Sequence, residues 1–159
     1  MNIGIDMMGG DFAPLEAVKG VQLYLSGHNI PAKLTLIGNK EQLEKLVTEH
    51  KTPLENITIV HAEQVIGMHE HPTKALKEKQ QSSIAIGFQL LASGKMDAFI
   101  SAGNTGAMLV GALFSIKALE GVIRPTISSI IPKSEGGTGL LLDVGLNADC
   151  KPEQLNQFA

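Results

Sequence analysis

The run Ala98-Phe99-Ile100-Ser101-Ala102-Gly103-Asn104-Thr105-Gly106-Ala107-Met108-Leu109-Val110 passes from a short apolar segment, through a glycine-rich turn, into a second apolar segment. The pattern predicts a strand over 98–101 and a helix over 104–119, ended by Gly121. That helix is apolar on most sides, which predicts a buried, rigid element. A strand that feeds a helix through a tight turn is half of a βαβ unit. The helix start presents unpaired N–H groups and a partial positive charge. Gly103 and Gly106 let the backbone come close to an anion, and Ser101, Asn104 and Thr105 add side-chain donors. The run is therefore a candidate anion site, with phosphate as its expected ligand. It lacks the lysine of a Walker A loop and the third glycine of a dinucleotide fingerprint, which argues against ATP, GTP or NAD. The plainer alternative is an ordinary helix cap with glycines that tighten the turn.

Working outward, the same alternation recurs. Asn2 to Asp6 reads as a strand ending on a carboxylate. Met8-Gly9-Gly10-Asp11 is a turn, followed by a helix with Pro14 near its start and Leu15, Val18, Val21 and Leu25 at helical spacing up to Gly27. Lys33 to Ile37 is a second strand, closed by Gly38. Asn39 to Gln42 resembles a capping box, opening a helix with Leu43, Leu46 and Val47 on one face. Ile57 to Val60 is a third strand, 62–72 a loop, and Thr73 to Gln80 a short polar helix. Ser82 or Ser83 caps a helix reaching Ser93. Thr126 to Ile131 and Gly139 to Leu142 are strands around the Gly136-Gly137 turn, with 140–142 apolar enough to be central in the sheet. The expected fold is a single α/β domain, a mainly parallel sheet flanked by helices.

Three further places hold candidate chemistry. Asp6 with Gly9, Gly10 and Asp11 puts two carboxylates at one sheet edge, to orient a basic group, hold a metal or polarise a nucleophile; the alternative is a cap and loop acceptors. Asp143-Val144-Gly145-Leu146-Asn147-Ala148-Asp149 follows an apolar strand and offers a polar wall, or else a solvated loop. Lys79 with Ser82 and Ser83 is a second possible anion site at a helix start, or an ordinary cap. His69-Glu70-His71 alternates in a loop, but no helical histidine pair or Cys/His spacing supports a metal, so no metal or other cofactor is expected.

Composition narrows the classes. The 159 residues are enough for one domain with a core, 43% are hydrophobic, and the net charge is −3 with no basic stripe, so nucleic-acid binding is not expected. The single cysteine, Cys150, permits no internal disulfide and fits a reducing, cytoplasmic compartment. The N-terminus has neither a basic region nor a long apolar run, and no segment approaches the ~20 apolar residues of a membrane span. Pro152 to Ala159 opens like a helix and stops without a cap, as a fragment of a longer protein would.

Five runs in order, Asp6 to Asp11, Val65-Ile66-Gly67-Met68, Lys79 with Ser82-Ser83, Ser101 to Ala107, and Asp143 to Pro152, together resemble the phosphate acyltransferases of bacterial phospholipid synthesis. Met7 and Leu146 stand where that family usually has alanine, and His69 where an acidic residue is common. The resemblance implies a protein about twice this length, an isocitrate dehydrogenase/phosphotransacetylase-like fold and a homodimer. It implies transfer of an acyl group from acyl carrier protein to inorganic phosphate, giving an acyl phosphate that a membrane glycerol-3-phosphate acyltransferase would consume. It implies a cytoplasmic enzyme whose membrane contact is peripheral. On this reading Asn104, Asp143 and Asn147 are the catalytic candidates. Asp6, Gly9, Gly10, Asp11, Lys79, Ser82, Ser83, Ser101, Gly103, Asn104, Thr105 and Gly106 bind phosphate or the acyl phosphate. If the other half carries catalytic groups, this chain alone is expected to be inactive. Two alternatives are a phosphotransacetylase-like enzyme using acyl-coenzyme A and a non-catalytic module sensing phosphate or phospholipid.

Overall fold

In the computed structural model, which describes residues 1–27, 32–147 and 149–159, the chain forms two compact units, Met1–Ile116 and Lys117–Ala159. The first contains strands β1 (Asn2–Asp6), β2 (Lys33–Gly38), β3 (Ile57–His61) and β4 (Ala98–Ile100), all parallel, in the order β3-β2-β1-β4. Its helices are α1 (Leu15–Gly27), α2 (Lys40–Glu49), α3 (Pro72–Glu78), α4 (Ser83–Ala92) and α5 (Thr105–Ser115). This is the mainly parallel, helix-flanked α/β architecture that the strand–helix alternation predicts.

Side chains alternate across a strand, and the two sets pack against different helices. Leu34 and Leu36 of β2 join Val18, Val21 and Leu25 of α1 and Leu43 and Val47 of α2. Ile37, one residue out of phase, packs instead with Met96, and α4 residues Ile86 and Leu90 lie against them. Helices α1 and α2 therefore cover one face of the sheet and α4 the other. The chain leaves β1 for one face and enters β4 from the other, so the sheet reverses its winding between these two strands. Such a switch point leaves a crevice beyond the carboxyl ends of the two strands, where open α/β sheets bind their ligands.

Capping follows the sequence closely. Asn39 and Ser82 each accept an N–H bond from the first turn of the helix that follows them. Helix α5 departs from expectation: it ends at Ser115 rather than Leu119, and Lys117 takes a positive φ of 72°. Nor is it buried on most sides; only Ala107 and Gly111 are, and Phe114 is 77% exposed.

The second unit contains β5 (Ser128–Pro132), β6 (Thr138–Leu142) and α6 (Pro152–Phe158). Its two strands form an antiparallel pair of their own, reversed through Gly136 and Gly137, both at positive φ. The expectation that 140–142 sits centrally in the parallel sheet is therefore corrected. A two-glycine turn favours local reversal, and β6 pairs only with β5 among the described residues. Leu140 is consequently 70% exposed.

Candidate functional site

Two loops meet where β1 and β4 end. Asp6, the last residue of β1, is 4% exposed, and each of its carboxylate oxygens accepts a hydrogen bond from a neighbour. Oδ1 accepts the N–H of Met8 at 3.0 Å, and Oδ2 accepts the hydroxyl of Ser101 at 2.7 Å. Ser101 Oγ in turn accepts the N–H of Gly103 at 2.9 Å. A buried carboxylate thus orients a hydroxyl, and the hydroxyl orients the turn. The loop after β1 also touches that turn directly. A Cβ placed on Gly9 would lie 2.8 Å from the Cα of Gly103 and 2.7 Å from Asp6 Oδ2, so only glycine permits this approach. Asp6, Gly9, Ser101 and Gly103 are brought together as one unit, with Gly10 at positive φ beside Ala102.

Asn104 is the N-cap of α5. Its Oδ1 accepts the N–H of Ala107 at 2.9 Å. Its Nδ2 lies 3.0 to 3.2 Å from the carbonyls of Gly67, Met68 and Glu70. The residue is 5% exposed, and its amide is committed on both sides. Its two amide N–H bonds thus serve three carbonyls, so the side chain ties the 67–70 segment to the start of α5. What stays open is backbone. Among the described residues the N–H groups of Thr105 and Gly106 find no acceptor, as the first turn of a helix dictates. The same holds for Gly9 and Gly10. The Thr105 side chain is exposed, and so is Asp11, which lies in the turn ahead of α1 rather than capping it.

The 65–72 loop entered the sequence reading only through the family resemblance and the His69-Glu70-His71 alternation, with none of its residues among the site candidates. Glu70 Oε1 accepts the N–H of Gly67 at 2.6 Å and the ammonium of Lys79, which also donates to the carbonyl of Val65 at 2.7 Å. The hydrogen bond from Lys79, with that from the Gly67 N–H, holds the Glu70 carboxyl below its ordinary range against the opposing effect of burial. Pro72, first residue of α3, presses on Gly106, where a Cβ would collide with its ring. The available signal was Gly67-x-x-Glu70 ahead of a proline at a helix start.

At the expected second anion site, 79–83, the side chains are held as follows. Lys79 is engaged by the loop. Ser82 is wholly buried, its hydroxyl accepting the N–H of Ala85 at 3.3 Å, and Ser83 is 1% exposed.

In the second unit Asp143 organises its own loop at a positive φ of 61°. Its Oδ1 accepts from Thr126 Oγ1 at 3.0 Å and from Asn147 through both Nδ2, at 2.8 Å, and the main-chain N–H, at 3.3 Å. Asn147 Nδ2 also donates to the Pro125 carbonyl at 3.1 Å. Burial raises the Asp143 pKa, but the bonds from Asn147 and Thr126, with the charge of Arg124, outweigh it and leave the carboxyl below its ordinary range. The Cys150 thiol lies 3.9 Å from Oδ2. Ala148 lies outside the described residues. Among the described residues no group of three His, Cys, Asp or Glu is placed to hold a metal, and no helix is long and apolar enough to cross a membrane.

Over residues 1–159 the sequence matches the family described as fatty acid synthesis protein. The chain belongs to that family. Proteins named phosphate acyltransferase match it end to end. One from Thermoanaerobacterium thermosaccharolyticum is 46% identical over 159 residues, which are all of this chain and 46% of the relative. One from Dictyoglomus turgidum is 45% identical over all of this chain and 47% of the relative. One from Geobacter sulfurreducens is 42% identical over all of this chain and 45% of the relative. The resemblance drawn from the five runs is thus met along the whole sequence, and the chain spans about half the length of the curated relatives it matches.

Proposed function

We propose that this chain carries the phosphate-binding part of an acyltransferase that moves a fatty acyl group from acyl carrier protein to inorganic phosphate, yielding an acyl phosphate for phospholipid synthesis. The observation that carries the proposal is the pair of open N–H groups on Thr105 and Gly106, at the start of a helix fixed by Asp6, Ser101 and Asn104 at the sheet's switch point. Family membership supports the acyl side of the reaction.

The chemistry asks little of an acid or base. A phosphate oxygen attacks the thioester carbonyl, a C–O bond forms, the C–S bond breaks, and the thiolate of the carrier leaves. Phosphate is already a nucleophile near neutral pH. The protein has to hold it in line and stabilise the oxyanion as charge moves. Thr105 and Gly106 bind phosphate through backbone N–H groups, with Gly9, Gly10 and Gly103 allowing the close approach. Asp6, Ser101 and Asn104 position that backbone. Asp143 and Asn147 are proposed as further contributors to turnover, each tested by its own alanine variant. The working protein is proposed to be a cytoplasmic homodimer with peripheral membrane contact, its product passing to a membrane glycerol-3-phosphate acyltransferase.

The test is acyl phosphate formation by the complete polypeptide, with acyl carrier protein and acyl-coenzyme A compared as donors. Ser101→Ala is expected to raise the phosphate KM about tenfold or more, because it frees the Gly103 turn and takes the donor from Asp6 Oδ2. A wild-type phosphate KM in a folded Ser101→Ala protein would sink the assignment. Faster turnover on acyl-coenzyme A would move the enzyme to the phosphotransacetylase class. Phosphate binding without turnover on any donor would leave a sensing module.

A further inference from the structure

An apolar groove of about 360 Å3 runs between α3 and α5, floored by α4. Its walls are Leu76 on one side and Val110, Gly111 and Phe114 on the other, over Ala85 and Phe88. Lys77 is the one charged residue lining it, and no carboxylate does. The floor is tightly built: Ala85 and Phe88 are buried, and a Cβ on Gly111 would strike the Phe88 ring. The outer wall is open, with Phe114 77% exposed. Catalysis as described does not use this groove.

We propose that the groove holds the fatty acyl chain of the donor. This rests on the acyl-transfer reading above and names which part of the fold selects the chain. Position supports it first. Thr73, which lines the groove, follows Pro72, whose ring sits on Gly106 in the candidate phosphate turn. Val110 lies four residues beyond Gly106 on the same helix, about 6 Å along the axis, and Phe114 about 12 Å. An acyl carbonyl attacked at the turn would therefore send its chain along α5 into the groove. Size supports it next. A volume of about 360 Å3 lies within the range of pockets that take small organic ligands. Chemistry supports it last. A slot whose walls are mostly carbon, with Thr73, Gln80, Gln89 and Ser115 among its lining and no carboxylate, suits an uncharged hydrocarbon, and the family is one of fatty acid synthesis.

The experiment measures kcat/KM on the complete polypeptide with long-chain and short-chain acyl donors at saturating phosphate, and the phosphate KM separately. Each methylene that gains burial is worth about fourfold in kcat/KM, so blocking the groove penalises long chains far more than short ones. Val110→Trp is expected to lower the long-to-short ratio by about tenfold or more. Phe114→Ser, at an exposed position that threatens the fold little, is expected to lower it in the same direction. Leu23→Trp, on the exposed side of α1, is the control and leaves the ratio unchanged. An unchanged ratio in a folded Phe114→Ser or Val110→Trp protein with active wild type overturns this proposal alone. The groove would then be covered by another part of the polypeptide or by a second copy. A wild type that forms no acyl phosphate from any donor, yet binds phosphate, overturns the acyl-transfer reading and this inference with it.

Discussion

At the scale of single residues, Asn104 holds more structure than any other side chain near the turn. It caps α5 and ties down three carbonyls of the 65–72 loop. Asn104→Ala removes the cap, worth about 1 kcal/mol, and takes the donor from three part-buried carbonyls, at about 1–3 kcal/mol together. The expected loss is therefore about 2–4 kcal/mol in urea unfolding, and a loss below the cap value alone would show that the loop does not depend on it. Glu70 yields a pH prediction. Its carboxyl is held below the ordinary range by Lys79 and Gly67, so the folded chain favours the charged form. The stability this contributes is present above the ordinary glutamate pKa of about 4.3, and is lost as pH falls through the lower folded value. Thermal melting should fall along that acid limb in the wild type and more shallowly in Glu70→Gln. Identical limbs would contradict it. Asn104's place at a helix start was legible in the sequence, because capping is local. Its hold on residues 67–70 was not, because nothing local encodes a contact across 34 to 37 positions.

At the scale of elements, the spacing of Val18, Val21 and Leu25 marked α1, and Asn39 marked the start of α2, because helical periodicity and caps are written within a few residues. Helix α5 was over-extended because Ile116, Ala118 and Leu119 continue the apolar pattern. The chain stops the helix by turning Lys117 to a positive φ, where the usual signal would be glycine. Strand β6 was misplaced for a different reason: apolar composition says that a strand packs somewhere, not which strand it pairs with. Two helix starts offer a paired test. Ser82→Ala on α4 should cost about 1 kcal/mol of stability and leave the phosphate KM alone, since that hydroxyl is buried in its cap. Gly106→Val on α5 should raise the phosphate KM, because the new side chain meets the Pro72 ring beside the open N–H groups. The reverse pattern would place the anion at α4.

At the scale of the whole molecule, the order β3-β2-β1-β4 puts the two motifs that seemed separate in the sequence, 6–11 and 101–106, against each other. Strand–helix alternation predicted the parallel sheet but not the point where its winding reverses. The bond between Ser101 and Asp6 spans 95 positions. Loops that long close late, after local helices and neighbouring strands have formed. A growing chain can assemble β1, α1, β2, α2 and β3 around Met7 and Leu36 before β4 exists, and at that stage it has a core but no turn to dock on Asp6. The candidate site thus forms only once β4 has joined the β3-β2-β1 core. Ligand capture would report a finished β1–β4 pairing, and a newly made chain would stay inert toward phosphate until residues beyond Gly103 had joined the sheet.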